Sequence, residues 1–187
     1  METVILFGSP RKDGNTIQIV NALVDALRRK NHNVRMLYLN DLNIRPCQGC
    51  YACLPKGICK INDDMKDIRK YMMESDLIVY ATPIYWYGPS GQLKLVMDRG
   101  ISFMDNKYNS RLKGKKVLTL MTCADENIDT FQPALGMFKK TFDLLGFIQA
   151  GSVEVPGCVD GKKVKKEFIF SNHFLMNPLL KPWAGPI

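Results

Sequence analysis

Thr3-Val4-Ile5-Leu6-Phe7-Gly8-Ser9-Pro10-Arg11-Lys12-Asp13-Gly14-Asn15-Thr16 is the stretch on which the fold turns. Thr3 to Phe7, all β-branched or apolar, reads as a strand buried on both faces, the pattern of a parallel sheet. From Asn15 to Lys30, Val20, Leu23, Val24 and Leu27 recur at helical spacing. A buried strand that passes through a Gly/Pro turn into a helix brings backbone N–H groups and the positive end of the helix dipole to one point, which favours a phosphate. Ser9, Asn15 and Thr16 add neutral donors and Arg11 a charged one. The loop has neither G-x-x-x-x-G-K-[ST] with its magnesium-binding hydroxyl nor G-x-G-x-x-G, so it suits a terminal phosphate monoester held without metal. The plainer alternative is a turn capped by Asn15.

Outward from this stretch, short apolar runs alternate with longer stretches of helical period, which predicts strands joined by crossover helices. Strands are expected at Asn33 to Leu39, Asp76 to Ala81, Lys115 to Thr122 and Phe147 to Val155. Helices are expected at Asp63 to Glu74 through Met65, Ile68 and Met72, at Ser90 to Ile101 through Leu93, Val96, Met97 and Ile101, and at Thr130 to Leu145 through Leu135, Phe138, Phe142 and Leu145. Right-handed crossovers on this pattern give an α/β three-layer doubly wound sandwich, a five-stranded parallel sheet of order 2-1-3-4-5. The ligand crevice of that order lies between the first and third strands, beyond Phe7 and Ala81. Residues 1–187 are expected to form one domain, with a cysteine-rich loop at 44–61, a basic helix from Gly161 and an irregular tail from about residue 171.

The loop after the third strand runs Thr82-Pro83-Ile84-Tyr85-Trp86-Tyr87-Gly88-Pro89-Ser90-Gly91-Gln92-Leu93-Lys94. Its three consecutive aromatics cannot all enter one core, and flat aromatic surface with backbone N–H groups near Gly88 suits a planar heterocycle that gains negative charge on reduction. Packing alone is the competing explanation. Together, GSPRKDGNT and ATPIYWYGPSGQLKLVMDR resemble the NAD(P)H-dependent FMN reductase and iron-sulfur flavoprotein group of the flavodoxin-like superfamily, over roughly Val4 to Val155. The resemblance implies FMN phosphate on Ser9, Arg11, Asn15 and Thr16, and the isoalloxazine against Pro83, Ile84, Tyr85, Trp86, Tyr87 and Gly88. A third loop, Thr122, Cys123, Ala124 and Asp125, would cover the other side of the ring by analogy with the family. A homodimer or homotetramer, with flavin near an interface, and NAD(P)H as electron donor are further implications.

Between the second strand and the second helix runs Cys47-x2-Cys50-x2-Cys53-x5-Cys59. Zinc held by four cysteines usually draws them from two separated knuckles, a gap this spacing lacks, and a [4Fe-4S] cluster fits better. Zinc or no metal at all remain the alternatives. The spacing also resembles the compact motif of iron-sulfur flavoproteins, which implies Cys47, Cys50, Cys53 and Cys59 as ligands. Cys123 and Cys158 read most simply as small buried hydrophobes. His32 and His173 match no motif, and no acid–base catalytic residue is assigned.

The 187 residues are 46% hydrophobic and 24% charged, an ordinary globular composition, and no apolar run reaches membrane-spanning length. The opening residues lack a secretory leader pattern, so a reducing cytoplasmic setting is expected. The net charge of +8 gathers at Arg111 to Lys116 and Lys162 to Lys166 without any nucleic-acid-reading motif. An acidic ferredoxin docking there is the sharper reading and solvated turns the plainer one. The function expected is therefore an FMN-dependent oxidoreductase passing electrons between FMN and a [4Fe-4S] cluster. The alternatives are an NAD(P)H-dependent FMN or quinone reductase without a cluster, or a non-enzymatic carrier or redox sensor.

Overall fold

The structure, a computed structural model, describes residues 1–159 and 164. Six strands, β1 (Glu2–Phe7), β2 (Asn33–Tyr38), β3 (Leu77–Tyr85), β4 (Gly88–Pro89), β5 (Lys116–Thr122) and β6 (Ile148–Val155), and four helices, α1 (Asn15–Arg29), α2 (Met65–Glu74), α3 (Gly91–Asp98) and α4 (Gln132–Leu145), follow one another in the alternating pattern. The main path of the sheet is β2-β1-β3-β5-β6, every neighbouring pair parallel. That is the order expected, with one addition: β4 is a short antiparallel strand folded back on β3.

Period-two alternation sorts the sheet's side chains into two cores. Val4, Leu6, Ile78, Tyr80 and Val117 pack against α2, α3 and α4, whereas Ile5, Phe7, Val79, Leu118 and Val153 pack against α1. Residues Val4 to Phe7 have no exposed surface, so each large side chain there contributes roughly 1.5–3 kcal/mol of burial. This double cover holds the carboxyl ends of β1 and β3 rigidly side by side.

Several boundaries differ from expectation. β3 runs four residues beyond Ala81, because Thr82 and Pro83 keep pairing with Met121 and Thr122. α2 starts at Met65 instead of Asp63, whose carboxylate faces inward and is engaged by other groups. α3 is capped by Ser90, whose hydroxyl accepts from the Leu93 N–H at 3.3 Å, and continues as a 3₁₀ turn from Arg99 to Phe103. A 3₁₀ turn, Ile128–Phe131, precedes α4, which has Pro133 in its first turn. The basic helix, Lys162 to Lys166 and the irregular tail lie outside the described residues, Val164 excepted. Among the described residues no helix is long and apolar enough to cross a membrane.

Candidate functional site

The crevice forms where β1 and β3 end. The Gly8 N–H donates to the Ala81 carbonyl at 2.8 Å, and the Ser90 hydroxyl donates to the Gly8 carbonyl at 2.6 Å. A Cβ at Gly8 would lie 2.9 Å from both the Leu93 Cβ and the Ser90 Oγ, so only glycine lets the first loop approach α3 this closely. Ser90 N–H in turn donates to Thr82 Oγ1 at 3.0 Å, which ties the two loops into one rim.

α1 opens onto that rim. Its N-cap is Gly14, which has no side chain to cap the helix, and its first turn carries no acid. An uncapped helix start without a carboxylate leaves its field available to an outside anion. Ser9 Oγ accepts from the Arg11 N–H at 3.2 Å and shapes the loop, while the Thr16 and Thr122 hydroxyls share a buried hydrogen bond of 2.8 Å. Asn15 is the first helical residue and not the cap; its side-chain amide donates to the Val159 carbonyl at 3.4 Å.

The resulting cleft is open to solvent and has a cavity volume of about 130 Å³. Of the residues singled out from sequence it gathers Ser9, Arg11, Asn15, Thr16, Pro83, Ile84, Tyr85, Thr122, Cys123 and Ala124, and it adds Gly14 and Cys158. Cys158 meets the sequence expectation only in part: it is half-buried and packs against the core on the α1 side, but it also lines the cleft. Burial pushes its thiol up to about 11, helped by the neighbouring Cys123, whose own thiol is raised by burial and then by Asp125.

Trp86, Tyr87 and Gly88 do not line the cleft. Tyr85 pairs with Gly88 across a two-residue turn in which Trp86 and Tyr87 both have positive φ, 48° and 63°. A type I′ turn needs that geometry and usually takes Asn-Gly there, so two bulky aromatics in the left-handed region store strain. Trp86 is 96% exposed at the tip.

The cysteine loop leaves the sheet at the same edge and is closed at its neck. Asp64 N–H donates to the Asn43 carbonyl at 3.1 Å, and Asn43 N–H donates to Asp64 Oδ2 at 2.7 Å. Behind them sits a buried ion pair, Arg99 Nη1 to Asp63 Oδ2 at 2.8 Å and Nη2 to Oδ1 at 3.1 Å. Asp63 also accepts from the Arg45 and Met65 N–H groups, and Arg99 donates to the Arg45 carbonyl at 2.7 Å. Burial alone would raise the Asp63 carboxyl; the Arg99 and backbone bonds outweigh it and hold the pKa below the ordinary value. Arg111 donates to the Leu54 and Pro55 carbonyls, so a second arginine clasps the loop's middle. Lys12 bridges to Asp41 at 2.5 Å, linking the phosphate-type loop to the segment that enters the cysteine loop.

All four loop cysteines are free thiols. Cys47, Cys50 and Cys59 lie close enough to Cys53 for charge repulsion to add to the burial that raises its pKa. The exposed Cys50 is shifted the other way, first by the Ala52 backbone N–H and then by Lys60. Four free thiols on one short closed loop are the donor chemistry of a thiolate-held cluster. In this conformation no three His, Cys, Asp or Glu side chains among the described residues converge into a group that could hold a metal ion.

A family model described as NADPH-dependent FMN reductase matches residues 1–155. The chain belongs to this family. As a member of the FMN reductase family it is an oxidoreductase of the NAD(P)H-dependent, FMN-using kind, and the cleft chemistry fits the cofactor: an uncapped helix start and hydroxyls for a phosphate, apolar and aromatic β3 side chains beside them. Among curated proteins it is similar to an iron-sulfur flavoprotein of Archaeoglobus fulgidus, 28% identical over 89% of this chain and 75% of that protein. It is also similar to an iron-sulfur flavoprotein of Methanocaldococcus jannaschii, 38% identical over 53% of this chain and 51% of that one. The chain thus spans only about half of that second relative's length. Among solved structures, the NAD(P)H:quinone oxidoreductase of Methanothermobacter marburgensis superposes with a TM-score of 0.75 at 13% identity, covering 100% of this chain and 99% of that one, a likeness of fold.

Proposed function

We propose that this oxidoreductase holds FMN in the cleft between β1, β3 and β5 and exchanges its electrons with a [4Fe-4S] cluster on Cys47, Cys50, Cys53 and Cys59. FMN supplies the chemistry when bound, since it can take two electrons from a hydride donor and pass single electrons onward. The chain's own residues bind and orient. The uncapped start of α1, with Ser9, Arg11, Asn15 and Thr16, receives the phosphate; the Thr16–Thr122 bond fixes the floor beneath it; Pro83, Ile84 and Tyr85 supply flat apolar surface for the ring system. The observation that carries this reading is the meeting of all three loops in one cleft at the topological switch point.

The cluster half of the proposal is supported by the four free thiols, the doubly anchored neck of their loop, and relatives whose names describe iron-sulfur flavoproteins. Anaerobically prepared protein should contain about four iron atoms per chain, and Ala at any one of the four cysteines should remove most of that iron while FMN stays bound. Stoichiometric zinc, or a cysteine variant with its full iron, overturns the ligand assignment and leaves an NAD(P)H-dependent FMN or quinone reductase without a cluster. Exposed Tyr85, Trp86 and Tyr87, consecutive aromatics at the end of β3 and in the turn after it, favour a homodimer or homotetramer, and the +8 net charge favours an acidic ferredoxin as one-electron partner. Transfer to such a partner should slow as ionic strength rises.

A further inference from the structure

The thiols of Cys123 and Cys158 carry no chemistry in the reading above, yet the fold brings them together. β5 and β6 end side by side at Thr122 and Val155, and the loops beyond stay paired. Cys123 N–H donates to the Val155 carbonyl at 3.1 Å, Cys158 N–H to the Cys123 carbonyl at 2.7 Å, and Gly157 N–H to the Asp125 carbonyl at 2.8 Å. Taking the 2.7 Å contact with standard backbone dimensions, the two Cα atoms can be no more than about 6.6 Å apart. That upper bound lies below the roughly 6.8 Å limit of the Cα separations that disulfides span. Both sulfurs now donate to carbonyls, Cys123 to Asp125 at 3.2 Å and Cys158 to Val155 at 3.4 Å, so both are thiols. Both line the cleft.

We propose that Cys123 and Cys158 form a redox-active dithiol in the wall of the flavin cleft, which closes to a disulfide by reducing oxidised FMN. The proposal rests on the FMN reading of the cleft. Two S–H bonds break and one S–S bond forms; the two electrons and two protons released convert oxidised flavin to its two-electron-reduced form. The reverse step reopens the disulfide at the expense of reduced flavin. The pair would thus store two electrons beside the cofactor. Burial raises the pKa of each thiol, so the pair is protonated at neutral pH.

The test mixes fully reduced protein anaerobically with one equivalent of oxidised FMN and no nicotinamide. Flavin binding is read by fluorescence, flavin reduction by absorbance, and disulfides by mass mapping of alkylated tryptic peptides. A link between peptides 117–139 and 141–162 reports this pair separately from the cysteines of the 44–61 loop. The expected result is one such link per flavin reduced, with both signals lost in Cys158→Ser. Bound flavin that stays oxidised, or flavin reduction accompanied only by links within the 44–61 loop, overturns the dithiol. Flavin that fails to bind overturns the cleft reading, and the dithiol with it.

Discussion

Replacing Asp63 by Ala leaves the Arg99 guanidinium, whose side chain is 1% exposed, without a counter-charge, and strips the neck of the cysteine loop of the carboxylate that accepts from Arg45, Met65 and Arg99. Breaking a buried pair by removing one partner costs about 3–5 kcal/mol, far above the 0–1 kcal/mol of an exposed pair. For a domain of this size each kcal/mol moves the melting temperature by roughly 2–4 °C, so a drop of about 6–20 °C is expected at neutral pH. The pH dependence has a definite sign. The folded-state pKa of Asp63 is depressed below 3.8, so its contribution is complete above that value and fades as pH falls through the lower, folded-state pKa. Melting curves of wild type and Asp63→Ala should therefore converge in acid and diverge toward neutrality. Asp63→Ala combined with Arg99→Met should recover part of the loss, because it removes the uncompensated buried charge while the Arg45 and Met65 N–H groups still lack their acceptor. Calorimetry or thermal circular dichroism at several pH values makes the measurement. A loss under about 1 kcal/mol at neutral pH, or no recovery in the double variant, refutes the reasoning.

Trp86→Asn with Tyr87→Gly supplies the residues a type I′ turn takes without strain and should raise stability by about 1–2 kcal/mol in urea titration. Gly8→Ala, whose new Cβ meets Leu93 and Ser90 at 2.9 Å, should cost about 1–3 kcal/mol and weaken FMN binding, read by denaturation and by flavin fluorescence. With its thiol pushed up to about 11, Cys158 should alkylate about ten times faster for each pH unit gained between 7 and 9, without the plateau near 8.5 of an ordinary cysteine.

The sheet order was legible because buried parallel strands write themselves as unbroken apolar runs, and α1, α2 and α4 because their stripes recur at helical spacing. That Ser9, Arg11, Asn15 and Thr16 share one cleft was legible too, since they belong to one short loop and the helix start that follows it. What could not be read were contacts between distant segments. The Asp63–Arg99 pair joins residues 36 apart, and Asp63 looks from sequence like an ordinary helix-start acid. The extension of β3 to Tyr85 depends on β5 offering partners for Thr82 and Pro83, which no local pattern announces. Cys158 lies outside the cysteine motif and read as a small buried hydrophobe; that it also reaches the cleft follows from the Gly157 turn and from backbone bonds to the loop after β5, which no local pattern announces.

The cleft is expected to recognise FMN through its phosphate at the start of α1. Calorimetric titration of the flavin-free protein with FMN and with riboflavin tests this directly, since the two ligands differ only there. Charge-assisted hydrogen bonds contribute about 1.5–3 kcal/mol each, so FMN should bind at least about tenfold more tightly than riboflavin, and Arg11→Ala should shrink the gap by weakening FMN alone. Equal affinity for the two ligands, or an equal loss for both in Arg11→Ala, would contradict the account.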